Sequence, residues 1–307
     1  VTHGIASDLL SNILLTATAP VVLAPAMHTQ MWEHPATRTN VDALRKRGYI
    51  VLDPDTGPLT GADIGRGRLP SPAQIADCVE AQFNANTGAL LGKHVVISAG
   101  GTQEEWDPVR FIGNRSSGKQ GIALARAALA AGAKVTLVAG HMDIDPPAGV
   151  ETIHALSGEQ MHKALVAVLD EQPDCVIMAA AVADFRPTTT SANKIKKALG
   201  TQNLELEQTT DILADLCGRR TPGVGPVMIG FAAETTENMN ELVLLAQGKL
   251  TSKGADLIIA NNVNHGAIFG SEETEIHMVE AENFIGPIKG SKLEVAHAVV
   301  HRLSAML

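Results

Sequence analysis

"FIGNRSSGKQGIALARAALAAGA", Phe111–Ala133, is the stretch on which the fold turns. Its first half comes within one residue of a P-loop. Gly113, four residues, then Gly118 and Lys119 fit G-x-x-x-x-G-K-[ST], but Gln120 stands where the Mg²⁺-holding hydroxyl belongs. Its second half is an Ala-rich helix closed by Gly132. A P-loop directly follows a buried strand. Here "EEWDPVRFI", with four charges and a proline, precedes Gly113, and the nearest apolar strand, "HVVISAGG", ends a dozen residues earlier. The "GGT" after that strand also lacks the G-x-G-x-x-G spacing of a dinucleotide site. What remains is a loop of small donors, Asn114, Ser116, Ser117 and Gly118, ahead of a helix N-terminus. Free N–H groups and the helix dipole suit such a place to an anion or carboxylate; an ordinary Ser/Gly cap is the alternative.

Outward from there, strand and helix alternate. Strands are expected at "HVVISAGG", "KVTLVAG", "DCVIMAAAV", "VMIGFAAE" and "DLIIANNV", with a short "VETIHAL". Helices are expected to end at Leu169, to cover "DILADLCGRR", to span Asn238 to Lys253, and to close the chain over Ser291 to Met306. This order predicts an α/β fold with a doubly wound, mostly parallel sheet. Ligands on such sheets bind beyond the carboxyl ends of the strands, here Gly100/Gly101, Ala179 to Asp184, Phe231 to Glu234 and Asn261/Asn262. Before Lys93 lies a smaller unit: helix "SDLLSNILLTA", strand "PVVLAPAM", helix "NVDALRKRGY", strand "IVLD", a Gly-rich loop "GPLTGADIGRGRLP", a Ser-capped helix "SPAQIADCVEAQF" and a linker "NANTGALLGK". With two convincing strands it reads as the back half of an α/β domain whose front half is missing.

Composition agrees. The 307 residues suffice for about two domains. An apolar fraction of 45% with 3% aromatics suits an Ala/Val/Ile/Leu-packed sheet between helices. A net charge of −9 argues against a broad nucleic-acid-binding face, while a local basic pocket stays open. Cys78, Cys175 and Cys217 show no zinc spacing, and Cys175 reads as a buried packing residue. No apolar run reaches the roughly 20 residues of a membrane span, and the N-terminus has no signal pattern. A cytoplasmic protein without membrane or nucleic-acid partners is expected.

"SAGGT", "DPVRFIGNRSSGKQG", "AAAVADFRP", "NKIKK", "GFAAET" and "DLIIANNV", in that order, resemble the ligase half of the bifunctional phosphopantothenoylcysteine decarboxylase/phosphopantothenate–cysteine ligase family of bacterial coenzyme A synthesis. The resemblance covers residues 91–307 and implies a Rossmann-like sheet, a ligase dimer, and a reaction joining 4′-phosphopantothenate to L-cysteine with CTP and Mg²⁺. Through it, Asn114 is implied at the acyl-cytidylate stage, and Lys194 in CTP binding and acyl-cytidylate formation. Lys249 and Lys253 fall on triphosphate contacts. Met178, Ala179, Ala180, Thr210, Asp211, Ile212, Leu213 and Phe231 fall on the cytosine and ribose pocket. Asp184 gains a CTP role, with a link to Mg²⁺ through the nucleotide; no other metal ligand is assigned. By residue type alone, the lysines of "NKIKKALG" and of the later helix also fit a solvated surface.

Residues 1–90 resemble the C-terminal half of the family's flavodoxin-like decarboxylase domain, through "GIASDLL", "APAM…MW" and "GADIGRGR". The resemblance implies FMN, with Gly4 and Ala6 beside it, and His28 at the substrate position. Two departures stand out: His28 replaces the Asn of P-x-M-N, and Gly61 sits where a Cys proton donor is usual, with Cys78 too far along to replace it. Decarboxylase activity is therefore not expected of this half. Two other readings are a nicotinamide oxidoreductase, disfavoured by the missing G-x-G-x-x-G, and a flavin-binding or regulatory module that has lost ligase chemistry.

Overall fold

The computed structural model describes residues 1–60, 63–72, 74–76, 78–79, 88–196, 203–221, 224–236, 238–262 and 273–307. The chain divides into two compact units, Val1–Asn86 with Pro147–Gly149, and Thr87–Pro146 with Val150–Leu307.

In the first unit the order is α1 (Leu9–Thr16), β1 (Val22–Leu23), α2 (Thr29–Glu33), α3 (Pro35–Lys46), β2 (Ile50–Val51), β3 (Asp55–Pro58) and β4 (Ile64–Arg68). β1 and β2 pair in parallel, and Trp32, Val41 and Val51 form a small core. The segment expected to be a Gly-rich loop is instead the antiparallel β3–β4 hairpin. Its glycines have a packing reason. A Cβ on Gly67 would lie 1.9 Å from the Met27 carbonyl oxygen, and one on Gly65 2.2 Å from Thr29 Oγ1. Close backbone approach, not turn chemistry, explains that spacing.

The second unit runs β5 (His94–Ala99), β6 (Glu104–Asp107), β7 (Arg110–Ile112), α4 (Lys119–Ala130), β8 (Lys134–Ala139), β9 (Glu151–His154), α5 (Gly158–Leu169), β10 (Cys175–Met178), β11 (Phe185–Pro187), β12 (Leu206–Gln208), α6 (Ile212–Arg219), β13 (Val227–Glu234), α7 (Met239–Lys253), β14 (Leu257–Asn262), β15 (Glu273–Val279), β16 (Phe284–Ser291) and α8 (Lys292–Ser304). The main sheet has the order β16-β15-β14-β13-β10-β5-β8-β9. Its parallel part starts at the centre with β5, winds out through β8 and β9, then returns through β10, β13 and β14, as in a doubly wound sheet. The winding reverses between β5 and β10.

The apolar strands read from sequence are the buried ones: Val95, Ile97, Ile177, Ile229 and Ile259 are all shielded from solvent. Cys175 is fully buried, as expected, and burial pushes its thiol well up from its ordinary range. α4 lies on β5 so closely that a Cβ on Gly121 would sit 2.4 Å from Ala99 Cβ. Three expectations change. β15 and β16 extend the sheet as an antiparallel hairpin where the sequence suggested nothing, and "EEWDPVRFI" forms the β6–β7 hairpin. The linker ends earlier than expected, since Leu90 is fully buried and Gly88 leaves no room beside the Ala131 carbonyl.

Candidate active site

At the sheet's switch point, side chains add to the backbone bonds that join Ala181 to Gly100 and Thr102. Beyond β5, Ser98 Oγ accepts from Ala180 N at 3.1 Å, and Thr102 Oγ1 accepts from Ala183 N at 2.9 Å. Both residues are buried, so these bonds fix the 180–183 segment beyond β10 against the loop beyond β5. Asn114 joins the same frame: its Nδ2 donates to Val182 O at 2.8 Å. That uses one amide hydrogen and leaves the other, with Oδ1, uncommitted to Val182.

At Gly118, φ is 76°, and the residue caps α4 without any side-chain hydrogen bond to the helix. The cap is thus a glycine cap, as the ordinary reading of the loop allowed, and Ser116 supports it by accepting from Gly118 N through Oγ at 3.3 Å, ahead of the helix. The first turn of α4 opens into a cavity of about 720 Å³ lined from Asn114 to Gly121, from Met178 to Phe185, from Gln208 to Leu213, and by Phe231, Lys249, Lys253, Asn261 and Lys292 among others. Among the described residues, five cationic side chains line it, Arg115, Lys119, Lys249, Lys253 and Lys292, against two carboxylates, Asp184 and Asp211. A locally basic cavity thus sits in a chain of net charge −9.

Met178, Ala179, Ala180, Asp184, Thr210, Asp211, Ile212, Leu213, Phe231, Lys249 and Lys253 all line this one cavity, with Asn114. The two lysines of α7 are tethered. Lys249 Nζ lies 2.5 Å from Glu234 Oε1, and Lys253 Nζ 3.2 Å from Asp211 Oδ2. Asp211 also caps α6, accepting from Ala214 N at 3.1 Å. Asp184 departs from expectation. β10 ends at Met178, and Asp184 is an exposed residue of the loop beyond it rather than the end of a buried strand. Lys194 is exposed and is not among the cavity's lining residues, and Lys197 lies outside the described residues. Arg115 and Lys292, which sequence reasoning missed, stand beside and at the N-termini of helices, where a search for cations at helix starts finds them.

A family model described as DNA/pantothenate metabolism flavoprotein C-terminal domain matches residues 90–307, and one described as Flavoprotein matches residues 1–84. The coenzyme A biosynthesis bifunctional protein CoaBC of Mycobacterium tuberculosis strain H37Rv is 44% identical over 99% of this chain and 75% of its own length. The chain belongs to the CoaBC family. The CoaBC protein of Bacillus subtilis strain 168 is 42% identical over 99% of this chain and 74% of its own. A crystal structure of the C-terminal domain of a CoaBC protein superposes with a TM-score of 0.59 at 35% identity, covering 72% of this chain and 98% of that one. CoaBC membership places the chain among the enzymes of coenzyme A biosynthesis, with a ligase-type domain joined to a flavoprotein part.

In the flavoprotein part of this CoaBC-family chain, Gly4 and Ala6 are exposed, and a Cβ on Gly4 would meet nothing within 4 Å. His28 is anchored: its Nε2 lies 3.0 Å from Asp63 Oδ2. Gly61 lies outside the described residues. Among the described residues no helix is long and apolar enough to cross a membrane, and no three His, Cys, Asp or Glu side chains cluster as a metal site.

Proposed function

We propose that the switch-point cavity joins 4′-phosphopantothenate to L-cysteine with CTP. The observation that carries this reading is the concentration of cations around the N-terminus of α4, at the switch point of an otherwise acidic chain. The substrate carboxylate attacks the α-phosphate of CTP, forming the acyl-cytidylate and releasing pyrophosphate. The cysteine amine then attacks the acyl carbon, and CMP leaves with the electron pair of the broken C–O bond.

Lys249 and Lys253 bind the triphosphate by exchanging Glu234 and Asp211 for phosphate oxygens, so the cations are held in place before the nucleotide arrives. The start of α6 and the Phe231 ring frame the base and ribose. Lys194 neutralises charge on the departing pyrophosphate. Asn114 donates its remaining amide hydrogen to the oxyanion of the second step; being neutral, it does not trap the carboxylate of the first. Mg²⁺ would accompany the phosphates, with Asp184 and Asp211 the carboxylates lining the same cavity. FMN in the flavoprotein part would supply the oxidising equivalents of a decarboxylation, with Gly4 and Ala6, both exposed, beside it.

The ligase part is assigned a dimer. Its β6–β7 and β11–β12 hairpins adjoin and carry the exposed apolar residues Val109, Phe111, Phe185, Leu204 and Leu206 at or beside their strands. Light scattering that gives a monomer mass at assay concentration removes this assignment.

Lys194→Gln tests the chemistry. Acyl-cytidylate formation is expected to fall about 10²-fold or more, as when one preorganised transition-state contact is removed, with CTP affinity changed far less. An unchanged single-turnover rate would take Lys194 out of the mechanism.

A further inference from the structure

Asp107 is a carboxylate in an unusual place. It ends the first strand of a separate two-stranded hairpin, yet it is 1% exposed. Its Oδ1 accepts from Val109 N and Arg110 N, both at 2.8 Å, which builds the β6–β7 turn. Those two bonds explain a turn aspartate followed by proline. They do not explain the other oxygen. Oδ2 accepts from Ile195 N at 3.1 Å, across 88 residues of sequence, and meets Arg110 Nη1 at 3.3 Å. Arg110 Nη2 in turn donates to Ile195 O at 3.4 Å, and its guanidinium lies 5.3 Å from the Trp106 ring centre. Both backbone groups of Ile195 are therefore gripped by one ion pair, whose carboxylate is buried and whose guanidinium is partly exposed. Two further bonds lay the same segment along β6: Ser191 N donates to Trp106 O at 3.0 Å, and Thr190 Oγ1 to Glu105 O at 3.1 Å.

Burial alone would raise the Asp107 carboxyl, but the N–H groups of Val109, Ile195 and Arg110 and the Arg110 charge outweigh it and hold the carboxyl below its ordinary range. The carboxylate is the form the grip requires. The residue beside Ile195 is Lys194, and β7 runs directly into Gly113 and Asn114. One hairpin therefore carries Asn114 at its end and Lys194 on a clamped loop along its first strand.

We propose that Asp107 is a positioning residue of the ligase reaction, fixing Lys194 in the frame of Asn114 by clamping the backbone of Ile195. The proposal rests on the assignment of Lys194 to the first half-reaction. It explains how an exposed lysine outside the cavity lining holds a fixed place: a backbone clamp orders the segment without occupying the ammonium. Asp107→Asn separates the two jobs of the side chain. The amide oxygen can still accept from Val109 and Arg110, whereas its NH₂ group turns a donor toward the Ile195 N–H.

Two measurements on the full chain test this. In hydrogen exchange, the Ile195 amide of Asp107→Asn is expected to exchange at least about tenfold faster than wild type, with amides of β5 and β10 unchanged. In single-turnover assays, acyl-cytidylate formation is expected to fall about 10- to 100-fold, the scale of a misplaced catalytic group. Added to Lys194→Gln, the same substitution should cost nothing further, because it acts through Lys194. Unchanged exchange overturns the clamp, and losses that multiply in the double variant overturn the route through Lys194. If Asp107→Asn does not fold, Arg110→Met, which removes the carbonyl side of the grip and the cation paired with the Asp107 oxygen that holds the Ile195 N–H, is held to the same criteria. Wild-type protein that makes no acyl-nucleotide from CTP contradicts the ligase assignment and the catalytic half of the proposal, and the exchange rates still decide the clamp.

Discussion

Asn114 and Lys119 are five residues apart and line the same cavity, but they belong to different chemistries. In a P-loop, Lys119 would hold the β- and γ-phosphates. In the ligase, Asn114 acts after the nucleotide has bound, through the amide hydrogen that Val182 O does not take. Asn114→Asp is therefore expected to bind CTP close to normally and to stall at cysteine attack, since a carboxylate offers no donor and repels the oxyanion. Acyl-cytidylate should accumulate in rapid-quench samples. Lys119→Ala should keep most of its CTP affinity by calorimetry; lost affinity there, with normal turnover in Asn114→Asp, would restore the P-loop. The sequence placed Asn114 in a loop of small donors, but its role in the reaction came only through resemblance, because an amide in a polar loop has no spacing signature. Asp107 had one, an acid before proline at a turn, but nothing local reveals that its second oxygen reaches Ile195.

At the scale of elements, legibility followed burial. β5, β8, β10, β13 and β14 were readable because strands covered on both faces become continuous apolar runs. The hairpins were not. β3–β4 is patterned by glycines that admit another backbone, and β6–β7 by charges whose partners lie far along the chain. Gly121 belongs to a loop-to-helix motif in the sequence, yet its place in the fold is the contact between α4 and β5. Gly121→Val must move the helix away from Ala99, where even a Cβ would be 2.4 Å from its neighbour. Overpacking of this kind costs about 1–3 kcal/mol, so denaturant unfolding should show a loss near the upper end of that range. A midpoint equal to wild type would mean α4 has slack that this packing denies.

For the whole molecule, the doubly wound, mostly parallel sheet followed from the alternation of elements, while its strand order was not legible in that alternation and the cavity's charge did not follow from the net charge. Acid should find the molecule's weak points at its paired carboxylates. Burial would raise the Asp174 carboxyl, but the His94 N–H and the Lys93 ammonium, 2.8 and 3.0 Å away, outweigh it and lower it. A carboxyl held low in the folded state stabilises fully above its unfolded pKa of about 3.9 and stops doing so as pH falls through the folded value. The Tm gap between wild type and Asp174→Asn should be widest near neutrality and close below about pH 4; a gap that persists or grows in acid would contradict this. The central claim, that this basic cavity makes an acyl-cytidylate, is tested most directly by pyrophosphate release from 4′-phosphopantothenate with CTP, ATP and UTP in turn. Mg²⁺-dependent release with CTP, and CMP release only after cysteine is added, is the result predicted. Equal or faster turnover with ATP would contradict the nucleotide assignment, and no release with any of the three would contradict the ligase itself.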